Sequence, residues 1–259
     1  MAFLKLLKRK MLSSTDNTNK RSCVSSSSSS ILSLPHELIT TEILARVASC
    51  SSTDLFNAKL SSKDLLEAAN DDHIFKHISV AKFERYITPY DHQRKQVSSF
   101  LQRCKECGNS EVLFRAGMSD FFCSKQESGL KNLKKAVENG HVDATYVYGV
   151  ILLCSGDENK REEGLKLLSS FKKSQPKGFK LSECRERVEN VTRLMTDIIW
   201  RPWLHRLARE QELCSHSKRY RYEDPWLPGL TRELEGCCEK CELDNEAELF
   251  CTMMAKCYA

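Results

Sequence analysis

Glycine and proline are scarce in this chain of 259 residues, at 10 and 6. Sandwiches and barrels turn every few residues and use more of both, whereas Leu, Glu, Lys and Ala, which recur here, favour helix. An all-α protein is expected. Long apolar runs are missing too: none approaches the roughly 18 residues of a membrane span. The stretch 1–12 alternates apolar and basic residues without a signal-peptide core, so neither a membrane nor a secretory route is expected. Excess charge is confined to one place. Lys+Arg number 40 against 35 Asp+Glu, a net +5, and residues 1–30 hold Lys5, Lys8, Arg9, Lys10, Lys20 and Arg21 against Asp16 alone. The remainder is neutral, which disfavours nucleic acid as a partner. No phosphate-binding glycine loop, nucleophile elbow or zinc-protease helix occurs, and nothing marks one cysteine as activated, so a non-catalytic protein is expected. Cysteine, by contrast, is plentiful at 13. Without a secretory route these are expected to be reduced thiols of a protein in the nucleus, the cytoplasm or both.

Composition divides the chain. Residues 1–30 form a basic leader ending in Ser25 to Ser30, too polar to offset its ordering entropy and expected to be disordered. The chain turns apolar at Ile31, with Ser33 as a candidate helix cap and Pro35 in the first turn. Leu34, Leu38, Ile39, Ile43, Leu44 and Val47 then recur at helical spacing. Polar breaks at Ser49–Asp54, Ser61-Ser62 and Asn70–Asp72 separate further short helical stretches carrying Leu55, Leu60, Leu65, Ile74 and Phe75.

Leu34-Pro35-x-Glu37-Leu38, Glu42-Ile43-Leu44-x-Arg46-Val47, Asp54-Leu55 to Leu60-x-x-Lys63 and Phe75 together resemble the F-box. The resemblance covers residues 31–78. It implies a short three-helix module, over about 31–80, that docks on a Skp-family adaptor and through it on the cullin of an SCF ubiquitin ligase. The adaptor-binding residues it implies are Leu34, Pro35, Leu38, Ile43, Leu44, Val47, Leu55, Leu60 and Leu65. Two positions depart from the family pattern: Leu65 stands where tryptophan is usual, and Ser61 where valine is common. Leu34, Pro35, Leu38, Ile43, Leu44 and Val47 are expected to be exposed in the isolated chain, because so small a unit cannot cover both faces of its helices.

After a linker over 81–95, the chain repeats itself over 96–177. Glu106 to Met118 aligns with Glu138 to Val150 at an offset of 32, keeping Glu106/Glu138, Gly108/Gly140 and Gly117/Gly149 identical and pairing Phe114 with Tyr146. Gly129-Leu130-Lys131-Asn132-Leu133 matches Gly164-Leu165-Lys166-Leu167-Leu168 at an offset of 35. Periods in the low thirties mark paired-helix solenoids. Gly108 and Gly140 should stop one helix in left-handed backbone, Ser110 should cap the next, and Gly117 and Gly149 should let helices approach closely. His141 is expected to be a turn residue. The second copy, from Leu133-Lys134-Lys135-Ala136 to Tyr148-Gly149, resembles the Sel-type tetratricopeptide-like repeats. Such repeats need flanking helices to cover their ends.

The region 178–259 is expected to be helical and cysteine-rich. One helix is expected over 181–199, stopped by Arg201-Pro202. Trp200, Trp203 and Trp226 are expected to anchor a local core, and Lys218–Tyr222 is a short basic-aromatic cluster. Cys104, Cys107 and Cys123 lack a second ligand pair at finger spacing. Cys238, Cys241, Cys251 and Cys257 could supply four thiolates to zinc, although no cofactor is otherwise expected. The reading that results is a substrate-recognition subunit of an SCF-type ubiquitin ligase, with the repeats presenting a target protein. Two alternatives stay open: a non-catalytic helical-repeat scaffold with a degenerate F-box, and a zinc-dependent nucleic-acid-binding protein.

Overall fold

The computed structural model describes residues 34–86, 95–123, 127–195 and 238–256, and among these every regular element is helical. The Ser-rich leader with Ser33, the three tryptophans, Ile198, Arg201-Pro202, the cluster 218–222, and Cys257 lie outside the described residues. Among the described residues no helix is long and apolar enough to cross a membrane.

Polar caps cut the first part into short pieces. Helix α1 (His36–Leu38) leads through a π-helical segment, Ile39–Leu44, into α2 (Ala45–Cys50). Thr40 and Thr41 each donate a side-chain hydrogen bond to the carbonyl four residues back, at 3.0 and 2.9 Å, the back-bonding that loosens an α-helix locally. The next helices are α3 (Ser52–Ser61), α4 (Lys63–Ala68) and α5 (Asp72–His77). Ser51, Ser62 and Asp71 cap them, accepting bonds from the amides of Asp54, Asp64 and His73 at 3.2, 3.2 and 2.8 Å. The breaks legible in the sequence are thus side-chain caps.

This unit does not close its own core. Ile39, Leu44, Ala48, Leu55, Ile74, Phe75 and Ile78 are joined by Val97, Leu101 and Cys104 of α6 (Lys95–Glu106) and by Val112 of α7 (Ser110–Phe122). A 3-10 turn, Ala81–Tyr86, begins the connection. Phe100 of α6 places its ring 6.0, 6.1 and 5.0 Å from those of Phe56, Phe75 and Phe83. One face left bare by the small module is therefore covered from within the chain.

The stack continues with α8 (Ser128–Glu138), α9 (Val142–Leu153) and α10 (Glu158–Ser174). The turns after α6 and α8 are built alike. Gly108 and Gly140 sit at φ 84° and 78°. Asn109 and His141 donate backbone bonds to Cys104 and Ala136, and the two glycines donate to Lys105 and Val137, the double bonding of a Schellman stop. Asn109, not Ser110, then caps α7, accepting from Val112 at 3.2 Å. At the matching position His141 caps α9, its Nδ1 accepting from Ala144 at 3.1 Å.

Between stops, the helices touch through absent side chains. A Cβ on Gly117 would lie 2.8 Å from Leu133 Cγ, and one on Gly149 would lie 2.6 Å from Leu168 Cγ. Both distances are below any real contact, so α7 against α8 and α9 against α10 use the same knob on the same bare backbone. The offsets of 32 and 35 therefore mark one packing solution used twice. Helix α9 is buried along nearly its whole length, from Ala144 to Leu153, which makes it the centre of the repeat region.

Helix α11 (Leu181–Thr192) follows the repeats, shorter than the sequence suggested, and Leu194 beyond it is exposed. Helix α12 (Glu239–Lys256) lies against α9, α10 and α11. Its Leu243, Phe250, Cys251 and Met254 are buried in the repeat core, with the Phe250 ring 5.8 Å from Tyr146 and 6.4 Å from Phe122.

Replacing Gly149 by alanine should cost about 1–3 kcal/mol of stability, the usual range for overpacking. In a Leu168→Ala background that cost should shrink, because the clashing atoms are gone. Gly140→Ala, strained only by its left-handed φ, should cost about 1–2 kcal/mol in either background. Urea denaturation of the six proteins, including the two parents, separates the two origins.

Candidate docking surface and its junction with the repeats

The nine positions implied for adaptor binding divide by burial. Leu34 and Leu38 are each 39% exposed, Pro35 beside them is exposed, and Ile43, Val47 and Leu60 are half-buried. Leu44 and Leu55, at 2% and 1%, belong to the core, and Leu65 packs against it. The expected exposure is therefore corrected for Leu44, which is buried, and for Ile43 and Val47, which are half-buried, Val47 against the first core. The π-helical segment adds a residue to the turn, so the stripe rotates: Leu34 and Leu38 stay outside while Ile39, Leu44, Ala45 and Ala48 turn inward. Leu65, at the position where the resembled family has tryptophan, supports the fold from within. Ser61 is exposed, and its hydroxyl is used by the carbonyl of Ala58 at 2.8 Å.

Large exposed apolar side chains are few among the described residues: Leu34, Leu38, Val142 and Leu194. Two of these four lie one turn apart at the start of the first helical unit. An apolar pair left in water where the chain enters a helical unit already anchored in the core is the local form of a protein-docking surface. Charge flanks it in the Arg46–Glu42 pair at 3.1 Å, which is exposed and contributes little to stability.

The orientation of this face relative to the repeats is fixed by a junction that sequence reasoning missed. Asn109 is 3% exposed. Its amide nitrogen donates to the carbonyls of Phe75 and Ile78, at 3.1 and 2.9 Å, while its oxygen caps α7. One residue thus ends α6 through its backbone amide, and with its side chain starts α7 and satisfies two carbonyls at the close of α5. Two cations approach the Phe75 ring, the Arg103 guanidinium at 4.3 Å and the Lys59 ammonium at 5.3 Å from its centroid. Arg103 also donates to the Asn70 carbonyl at 2.9 Å and reaches Asp72 at 3.3 Å. Burial and the neighbouring Arg103 charge lower the Lys59 amine to about 8. The available signal was position: in the repeat alignment Asn109 falls opposite His141, and both residues cap.

Further along, Glu111 joins consecutive repeats. It accepts from Arg115 at 2.5 Å and from His141 Nε2 at 2.8 Å. Because His141 Nδ1 accepts a backbone amide, the neutral ring carries its proton on Nε2. The ring also stacks on Phe114 at 4.6 Å. Burial pushes the Glu111 carboxyl up, but its bonds to His141 and Arg115 outweigh this and hold it at about 2, below the ordinary 4.5.

At the other end, Glu246 of α12 is 8% exposed and accepts from the Tyr146 hydroxyl at 2.7 Å and from Arg185 at 2.5 Å. Lys172 of α10 pairs with Glu242 at 2.5 Å, and Arg187 of α11 forms a bidentate pair with Asp143 at 2.7 to 3.1 Å. These contacts close the end of the stack with helices from outside the repeat.

The four-thiolate zinc reading of the tail fails on geometry. Cys241 and Cys251 are ten positions apart on one helix, about 15 Å at the α-helical rise, too far to share an ion. Cys251 instead faces Cys154 at 3.9 Å. Among the described residues no group of three or more His, Cys, Asp or Glu is placed to hold a metal. Cys104 is buried in the first core, and Cys107 meets Asp72 at 3.3 Å.

Removing the Asn109 side chain should leave two carbonyls unmet and one helix uncapped. Asn109→Ala should therefore cost about 2–4 kcal/mol, and amide exchange should accelerate over 72–80 beyond what Ser110→Ala causes. Glu111 predicts an acid dependence. Its depressed carboxyl contributes stability that is complete above 4.5 and lost as pH falls toward about 2. Glu111→Gln should flatten the stability curve across that window and leave its slope above pH 5 unchanged.

A family model described as plant tetratricopeptide repeats matches residues 83–193, covering α6 to α11. Two curated relatives from Arabidopsis thaliana carry F-box protein names. One is 34% identical over 139 residues, which is 53% of this chain and 45% of the relative. The other is 27% identical over 139 residues, 53% of this chain and 80% of the relative. The match thus spans less than half the length of the first relative and most of the second. No solved structure matches. Over about half its length the chain is thus similar to plant F-box proteins, and over 83–193 to plant tetratricopeptide repeats.

Proposed function

We propose that this chain is the substrate-recognition subunit of an SCF-type ubiquitin ligase. The observation that carries the reading is the exposed apolar pair of Leu34, just before α1, and Leu38, at its end, where the helical unit that follows is locked into the core by Ile39, Leu44 and Ala48. A Skp-family adaptor would cover that pair together with Pro35 and the half-buried Ile43, Val47 and Leu60. Leu44, Leu55 and Leu65 act beneath, holding the helix in place. The F-box names of the two relatives support the adaptor, and through it the cullin, as the partner class.

The chain then works as a positioning device without bond chemistry of its own. Holding a target protein on the repeat region raises the effective concentration of its lysines near the ubiquitin-conjugating enzyme. A hinge between the two parts would dilute that gain. The Asn109 and Arg103 contacts, which tie the end of α5 to α6 and α7, oppose such a hinge.

Co-purification of a Skp-family adaptor with the full chain tests the proposal. Leu34→Asp/Leu38→Asp changes only exposed side chains, so the protein should keep its helicity and thermal midpoint while adaptor capture falls at least tenfold. Undiminished capture would show that this face is not the docking surface. No capture by the unsubstituted chain would favour the repeat scaffold with a degenerate F-box.

A further inference from the structure

The nine described cysteines are thiols, and two pairs of them stand within a side-chain rotation of bonding. Cys154 and Cys251 are 3.9 Å apart, and Cys238 and Cys241 are 3.8 Å apart. The pairs differ in access. Cys154 and Cys251 are 0% and 1% exposed, inside the repeat core, and the bond between them together with burial pushes the Cys154 thiol far up. No oxidant reaches that pair in the folded protein, and little thiolate is present to react.

Cys238 is half-buried and directly precedes α12, while Cys241 is the third residue of that helix and lies beneath it. Cys238 thus stands at the N-terminal end of α12, where the first-turn N–H groups have no helical carbonyl partner and the helix dipole is positive. The two acids of that turn are already engaged: Glu242 with Lys172 at 2.5 Å and Glu239 with Lys173 at 4.0 Å. The outer thiol is thus placed to meet an oxidant, and the inner one to resolve the product.

We propose that Cys238 and Cys241 form a reversible dithiol–disulfide site, oxidised by a small-molecule disulfide such as glutathione disulfide. The Cys238 thiolate attacks one sulfur of the oxidant, making a mixed disulfide and expelling one glutathione thiolate. The Cys241 thiolate then attacks the Cys238 sulfur, forming the intramolecular bond and expelling the second. Two electrons pass from the cysteine pair to the oxidant, and the two thiol protons end on the two glutathione thiols. The sulfurs must close from 3.8 Å to about 2.05 Å, within reach of side-chain rotation. This site does not rest on adaptor docking, since the helices that α12 packs on, α9, α10 and α11, follow the first helical unit.

The full chain equilibrated in glutathione buffers of rising oxidised fraction, then alkylated and mapped by peptide mass, tests the site. Expected is a Cys238–Cys241 disulfide that excess reduced glutathione reverses, with Cys154 and Cys251 still alkylated as thiols after unfolding. Cys241→Ser should instead accumulate glutathione on Cys238, and Cys238→Ser should take up none at Cys241. Circular dichroism of both variants confirms the fold, and Cys241→Ala serves as trap if serine disturbs it. The proposal is overturned if both cysteines stay alkylatable throughout, if Cys238 bonds to Cys237 or another cysteine instead, or if the Cys241 variants leave Cys238 unmodified.

Discussion

One amide side chain constrains the arrangement of everything else. Asn109 occupies the position after a left-handed glycine, where the chain has ended one helix and not yet begun the next. With its oxygen committed to the cap of α7, its nitrogen can only point back toward the preceding module. There it finds the carbonyls of Phe75 and Ile78, left over where α5 ends. In a site that excludes water these bonds cannot be exchanged for solvent, so the pairing fixes a geometry as well as lowering an energy. A small module that cannot bury its own core thereby becomes a rigid extension of the repeat stack. Val97, Leu101 and Cys104 of α6 and Val112 of α7 complete that core.

The stack follows a second constraint, the bare backbone at Gly117 and Gly149. A helix pair separated by a Cβ would put the leucine opposite it elsewhere, and the next helix would rotate. Keeping glycine on one helix and leucine on the other at both places repeats the crossing, so superposition of one pair on the next builds the array. What the repeat cannot do is end itself. Helix α9 is apolar almost all round, and its outer side needs a cover that the repeat lacks. Helices α11 and α12 supply it, with Phe250 filling the space and Glu246 answering the Tyr146 hydroxyl and Arg185 together. Burial of the Tyr146 ring and the adjoining Glu246 charge both hold its hydroxyl protonated, raising it well above 10. It is thus a donor to the carboxylate at any working pH.

The parts of this arrangement that were legible are those where stereochemistry leaves a single residue type. Left-handed turns and sub-contact helix crossings both demand glycine, and glycine at a fixed offset exposes the repeat in the sequence itself. The polar interruptions at Ser51, Ser62 and Asp71 were legible for a similar reason, since short hydroxyl or carboxylate side chains are what helix starts use. Capping by Asn109 and His141 was obscured by chemical dissimilarity: an amide and an imidazole do one job, and only their alignment hints at it. The inward turn of Leu44 was hidden because a regular 3.6-residue period was assumed across a segment that Thr40 and Thr41 loosen into a π-turn. The place of α12 had no local signal at all, since nothing in its own sequence says which helices lie beneath it.

The same distinction bears on the proposed docking face. A stripe of six apolar residues at helical spacing says that a helix has an apolar side, not how many surfaces that side serves. Here it serves two. The inner residues close a core shared with α6 and α7, which leaves the helix no freedom to rotate, and the outer pair is consequently held in water rather than folded away. Exposure of Leu34 and Leu38 is thus an outcome of packing elsewhere, sustained by contacts that a partner would never touch. A surface maintained in this way is preorganised: binding it orders few side chains, so more of the burial energy of two leucines and a proline appears as affinity.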